Sequence, residues 1–158
     1  MNLPVRARLV LFVCFVLTAS AWSAGDLFAG PAIPPTTGDF FTLTPCRVYD
    51  TRQILDPLHS GTDRLIPFYG LCGVPSTARA VAINLTVIGP SGDGDLTIYP
   101  ANFPNPGIST IYFSHSETLA NNAIFLLSTN GTGSLRVTPF VFGNGFTGLA
   151  VDVVGYFE

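Results

Sequence analysis

From Ala80 to Ile88 the chain alternates with a period of two: Val81, Ile83, Leu85 and Val87 fall on one face, and Ala80, Ala82, Asn84 and Thr86 on the other. This pattern predicts a β-strand with one apolar face and one face of small or polar groups. β-branched residues are prominent in it, and Gly89-Pro90 ends it. Weaker patterns precede it. Phe40-Phe41-Thr42-Leu43 predicts a short apolar segment stopped by Pro45, and residues 46–52 a strand running into a turn. Residues 53–63 read as loop. Residues 65–71 are weakly strand-like, with Pro67 favouring an edge position or a bulge.

Residues 95–100 predict the next strand, paired with 80–88 as a hairpin across a loop rich in glycine, serine and aspartate. Residues 110–113 predict a third strand, 117–122 a polar connection, and 123–127 a strand buried on both faces or a brief buried segment. Residues 134–138 alternate cleanly, and Phe140-Val141-Phe142 is apolar. The closing strand spans 149–157, and its Val151 and Val153 are expected to meet the apolar face of 80–88 across the core. Helical spacing is not sustained anywhere. Many short strands at intervals of about 8 to 12 residues predict an all-β fold. The expected architecture is an antiparallel sandwich, or a partly open barrel, of about 8–9 strands.

Upstream of these patterns the composition changes. Arg6 and Arg8 precede an apolar run from Leu9 to Leu17, and Thr18-Ala19-Ser20-Ala21 follows with small residues before a cut after Ala21. Residues 1–21 therefore predict a secretory signal peptide. The run is shorter than the roughly 20 residues of an ordinary membrane span. An uncleaved anchor is the alternative. Residues 22–39 are rich in proline and glycine and predict a linker, leaving 40–158 as a single β-domain. After cleavage five arginines face ten acids, and the chain has no lysine. Such a balance supplies no basic patch for nucleic acid or for an anionic membrane surface. Charged residues make up 11% of the chain, against about 25% in an average soluble domain, so surface polarity rests on Thr, Ser, Asn and Gly.

Cys46 and Cys72 survive cleavage. Two cysteines in an exported chain most simply form one disulfide. Free thiols or two metal ligands are the alternatives, but no second Cys or His pair lies nearby at metal spacing. Asp152 interrupts an apolar run, so its carboxylate faces water or is buried and paired. Its expected partner is Arg52, whose guanidinium can satisfy both oxygens. The functional alternative is a carboxylate pair, Asp50 with Asp152. Asn84, Asn121 and Asn122 sit amid apolar runs and are expected to tie loops to strand ends, or to bind sugar hydroxyls. Asp50, Arg52, Asp152 and these three asparagines form the expected structural polar network.

Several motifs occur in order: Phe41-x-x-x-Pro45-Cys46-Arg47-x-x-Asp50-Thr51-Arg52, then Cys72-Gly73-Val74-Pro75, Asn84-Leu85-Thr86-Val87 and Leu96-Thr97-x-Tyr99-Pro100-Ala101. Ala120-Asn121-Asn122 and Asp152-Val153-Val154-Gly155-Tyr156-Phe157 complete the set. In that order they resemble a bacterial secreted β-domain that occurs alone, in tandem or appended to larger cell-surface proteins. The resemblance covers about residues 41–157. It implies a module carrying this cysteine pair as a bridge, and no particular reaction, substrate or cofactor.

Catalytic signals are sparse. His59 and His115 read as loop residues, and neither lies in a nucleophile elbow or a His-Glu-x-x-His pattern. Asp93 and Asp95 are too few for Ca²⁺, which takes 6 to 8 oxygen ligands. No glycine-rich phosphate loop opens a helix. No cofactor or metal is expected. Most aromatic residues read as core, whereas Phe68, Tyr69 and Phe103 fall in loops and form the expected platform for stacking sugars. The expected function is an exported, non-enzymatic structural or interaction module at the cell surface or outside it, with a cell-envelope glycan or protein as partner. A carbohydrate-binding module is the first alternative. A glycan-acting hydrolase using Asp50 and Asp152 is the second.

Overall fold

The computed structural model describes residues 38–158; the expected signal peptide and almost all of the expected linker lie outside the described residues. Nine strands follow in order: β1 (Phe40–Asp50), β2 (Leu58–His59), β3 (Arg64–Pro67), β4 (Ala80–Ile88), β5 (Gly94–Pro100), β6 (Ile111–Phe113), β7 (Thr118–Leu126), β8 (Ser134–Val141) and β9 (Phe146–Phe157). One helical turn, α1 (Thr51–Ile54), follows β1, and a 3₁₀ turn at Phe142–Asn144 joins β8 to β9. Every strand pairing is antiparallel. One sheet runs β1-β9-β4-β7, with β2 also paired to β9; the other runs β3-β8-β5-β6. The two sheets remain separate, so the fold is a sandwich and not a barrel.

Alternation drives the packing. Val81, Ile83, Leu85 and Val87 of β4 are at most 2% exposed. Leu149, Val151 and Val153 of β9 join them, and Leu96, Ile98, Leu135, Val137 and Val141 close the core from the second sheet. Val153 and Val151 are not across the core from β4, as expected, but beside it: Ile83 pairs with Val153 and Leu85 with Val151 in one sheet. Their side chains share a face because directly paired residues in antiparallel strands point the same way.

The expected β4–β5 hairpin does not form. β4 lies between β9 and β7, and β5 between β8 and β6. The connecting loop turns at Gly89, whose φ of 51° lies in the left-handed region, and then bonds to the start of β9 instead of closing on itself. Ser91 N–H donates to Phe146 O at 2.9 Å, and Phe146 N–H donates to Ser91 Oγ at 2.8 Å. Each strand carries one apolar face, and crossing between sheets sets these faces against each other.

Two further strands depart from expectation. β1 continues through Pro45, tolerated because β1 is an edge strand whose register with β9 shifts between Thr42 and Cys46. β7 unites the expected polar connection and the expected buried segment into nine residues at the opposite edge. Its Ile124 is 63% exposed, so the segment is not buried on both faces. Pro67 does end an edge strand, β3.

Cys46 and Cys72 form a disulfide with Cα atoms 5.7 Å apart. It ties β1 to the long connection between β3 and β4. A bridge spanning 26 residues removes loop entropy from the unfolded chain. Replacing both cysteines with serine is expected to lower stability by about 3 kcal/mol. Denaturant titration with and without a reductant checks this: the reductant should shift the midpoint of the parent chain and leave the double variant unchanged.

Candidate functional site

The end of β1 and the turn α1 bring three charges together, Arg47, Asp50 and Arg52, and β9 adds a fourth, Asp152. Asp50 is the helix N-cap: its Oδ1 accepts Arg52 N–H at 3.0 Å. Arg52 folds back over its own cap, donating from Nε to Asp50 Oδ1 at 3.0 Å and from Nη2 to Oδ2 at 2.7 Å. Arg47 donates from Nη1 to Asp50 Oδ2 at 2.6 Å. The intervening Thr51 accepts Leu149 N–H on its Oγ1 at 2.9 Å, pinning the turn to β9. The Asp50-Thr51-Arg52 sequence is thus a cap, a tether and a charge that returns to the cap.

Asp152 pairs with Arg47, not with Arg52 as expected. Arg47 Nε and Nη2 donate to Asp152 Oδ1 and Oδ2 at 2.5 and 3.0 Å. The register explains the choice: Arg47 stands directly opposite Asp152 across β1 and β9, whereas Arg52 lies beyond the end of the strand. The Asp50 side chain is 2% exposed, and its two oxygens accept four hydrogen bonds. That exhausts its acceptor capacity. A glycosidase carboxylate must exchange a proton or attack carbon. Asp50 has no oxygen free to do either in this arrangement.

The pairing also aligns two of the asparagines. Asn122 lies opposite Asn84, Asn84 opposite Asp152, and Asp152 opposite Arg47. A polar row therefore crosses the outer face of the first sheet. Asn121 points the other way, opposite Leu85, and donates from Nδ2 to Thr110 O at 3.1 Å. It ties β7 to the segment entering β6, the tethering role expected of it.

Of the three loop aromatics, Phe68 is fully buried and belongs to the core. It continues the inward alternation of Ile66 past Pro67, which masks the pattern in the sequence. Tyr69 and Phe103 are half-buried and line one groove of about 480 Å³. Ser76, Thr77, Arg79, Leu126 and Thr129 complete much of its wall. The Tyr69 hydroxyl donates to Ala78 O at 2.9 Å, which fixes the ring against the approach to β4. Arg47, Arg52, Arg64 and Arg136 each pair with an aspartate. Arg79, one of the residues lining the groove, has no carboxylate partner among the described residues.

Sequence reasoning missed a second surface. Tyr112, Phe140 and Phe142, expected in the core, are 71%, 57% and 76% exposed. Asp95 sits between Tyr112 and Phe140 as the direct cross-strand neighbour of both. The signal was present: Tyr112 lies between two inward residues, Ile111 and Phe113, so it must point outward. Asp93 and Asp95 are engaged separately, by His115 N–H and the Ser109 hydroxyl, each at 2.8 Å. Among the described residues no cluster of three or more His, Cys, Asp or Glu forms a metal site. His115 lies in a turn, whereas His59 belongs to β2, opposite Phe146.

No family model matches the chain, and no curated protein matches it. Among solved structures it is similar to the Tobacco streak virus coat protein, at 11% identity over 76% of this chain and 88% of that one, with a TM-score of 0.42. A Tobacco streak virus coat protein dimer gives 11% identity over 76% and 86%, with a TM-score of 0.40. The cyanophage Pam1 capsid gives 16% identity over 89% and 99%, with a TM-score of 0.38.

The hydrogen bonds from Arg52, reinforced by the one from Arg47, hold the Asp50 carboxyl well below the usual carboxylate range despite its burial. A depressed carboxylate contributes stability above its unfolded pKa, and that contribution is lost as pH falls toward the folded value. Asp50→Asn keeps a cap acceptor but leaves Arg52 without its anion, while Arg47 keeps Asp152. Both arginines reach solvent, so the expected loss is that of charge-assisted hydrogen bonds, about 1.5–3 kcal/mol at neutral pH. Below about pH 4 the parent chain should lose stability more steeply than the variant. Denaturant midpoints measured from pH 7 to pH 2 test both statements.

Proposed function

We propose that this chain is an exported, non-enzymatic interaction module, and that it binds a saccharide carrying carboxylate groups in the groove between Tyr69 and Phe103. The observation that carries the reading is the composition of that groove. Two aromatic rings offer faces for stacking on the apolar side of a sugar ring. Ser76 and Thr129 place hydroxyls around them that can donate, whereas the Thr77 hydroxyl is already held by the Glu158 carboxylate. Arg79 adds a guanidinium uncommitted to any carboxylate of the described chain, a planar donor suited to a carboxylate. A groove of mostly apolar lining with a few polar groups is the usual form of a small-ligand site. The ordered motifs that resemble a secreted bacterial domain support placement outside the cell or at its surface.

The measurement is binding to a panel of neutral and carboxylated polysaccharides by calorimetry. Tyr69→Ala together with Phe103→Ala should abolish binding. Arg79→Ala should weaken binding to carboxylated glycans about tenfold and leave neutral ones unchanged, and added salt should weaken the parent chain in the same selective way. Retention in the cell envelope without binding to any glycan would refute the saccharide reading in favour of a protein-facing structural module.

A further inference from the structure

We infer that β7 is a self-pairing edge, through which two copies of the chain join their sheets antiparallel about a twofold axis at Asn122. Besides the two-residue β2, which pairs only with β9, the sandwich has four edge strands: β1 and β7 in one sheet, β3 and β6 in the other. Free edges offer unpaired N–H and C=O groups to any extended chain, and stable folds usually blunt them. Three of these edges are blunted. β1 carries Pro45, Arg47 and two shifts in register. β3 has four residues, with Arg64 at one end and Pro67 at the other. β6 has only three residues.

β7 has none of these devices. Its nine residues, Thr-Leu-Ala-Asn-Asn-Ala-Ile-Phe-Leu, contain no charge, proline or glycine. They pair with β4 without a bulge from Thr118–Ile88 to Leu126–Ala80, so the strand is continuous and presents an unbroken outer edge. Among the described residues, no turn, loop or side chain hydrogen-bonds to the backbone of β7 on that side. Half of its peptide groups therefore face outward unpartnered by the chain.

The sequence of β7 selects a second copy as the occupant. An antiparallel pair centred on Asn122 sets Asn122 against Asn122, where each amide can donate to the other. Ala120 then faces Ile124, Asn121 faces Ala123, Leu119 faces Phe125 and Thr118 faces Leu126. The exposed Ile124 meets a small partner, and Leu119 meets the half-buried Phe125. The strand carries no charge, so two copies approach without repulsion. The twofold operator makes the contact closed, and it yields a dimer with one continuous sheet. A strand pair of this length buries less than the roughly 1,200 Å² of a standard stable interface, so the dimer should dissociate on dilution.

Sedimentation velocity of the chain purified after export, over about a hundredfold range of concentration, should show a reversible monomer–dimer equilibrium. Asn122→Lys places two like charges directly opposite each other at the axis and should abolish the dimer. Asn122 is exposed, so the variant should melt within a few degrees of the parent. Asn122→Asp should also be monomeric, and an equimolar mixture of the two variants should recover the dimer as a heterodimer. Three results would overturn the inference: a parent chain monomeric at every concentration, a dimer unaffected by Asn122→Lys, or variants that fail to pair when mixed. Asn122 does not line the groove, whereas Leu126 at the end of β7 does, so glycan binding measured on the monomeric Asn122→Lys variant separates the two readings.

Discussion

Four side chains at alternate positions of β4 must leave water, and the rest of the fold follows from how they do so. Val81, Ile83, Leu85 and Val87 lie in the middle of the first sheet, flanked by β9 on one side and β7 on the other. Their cover comes from the second sheet, chiefly Leu96, Ile98, Leu135 and Val137. Burial of a branched side chain is worth about 1.5–3 kcal/mol, so keeping two apolar faces together outweighs the local convenience of a hairpin. For this reason the chain leaves β4, crosses the rim and starts β5 in the opposite sheet. The opposite faces of the same strands are thereby turned outward, and polar residues there line up in register. The row from Asn122 to Arg47 is a geometric by-product of the core.

Charge is scarce in this chain, and most of it is used locally. Asp50 and Asp152 share Arg47, Asp63 holds Arg136, and Asp56 holds Arg64. Exposed pairs such as Arg136–Asp63 contribute little to stability. The buried Asp50 differs because both of its oxygens are saturated, and it also caps the turn that leads out of β1. Arg79 stands apart from this scheme, and its position beside Tyr69 and Phe103 distinguishes the groove from the rest of the surface.

β4 was legible because its alternation is strict and its C-terminal end is marked by Gly89-Pro90. β7 was not, because its outward positions include Ala120 and Ile124, which erase the contrast between faces. The all-β antiparallel class and the disulfide could be read from strand spacing and cysteine count, but not the choice between sandwich and barrel. The false β4–β5 hairpin shows the boundary of such reading: loop chemistry reports that the chain turns, but not whether it returns to the same sheet. Arg47 was overlooked beside Arg52 because partner choice depends on the register between β1 and β9, which neither strand encodes alone. Of the groove, Tyr69 and Phe103 were visible as loop aromatics, whereas Phe68 was hidden behind Pro67. Arg79 gave no local signal, since its significance appears only once the other arginines have found partners.

The placement of the arginines also bears on how the chain withstands attack. With no lysine in the sequence, a trypsin-like protease must cut after arginine. Such a protease needs several residues of free, extended backbone around the bond. Arg47, Arg64 and Arg136 lie within paired strands, and Arg52 within the helical turn. Arg79 lies outside the strands, yet its N–H donates to Phe157 O and its C=O accepts Leu127 N–H. Every such bond in the described chain is therefore held by the fold, and cleavage has to wait for local opening. The same feature leaves the α-amino group as the chain's one primary amine, a single defined handle for amine-directed attachment.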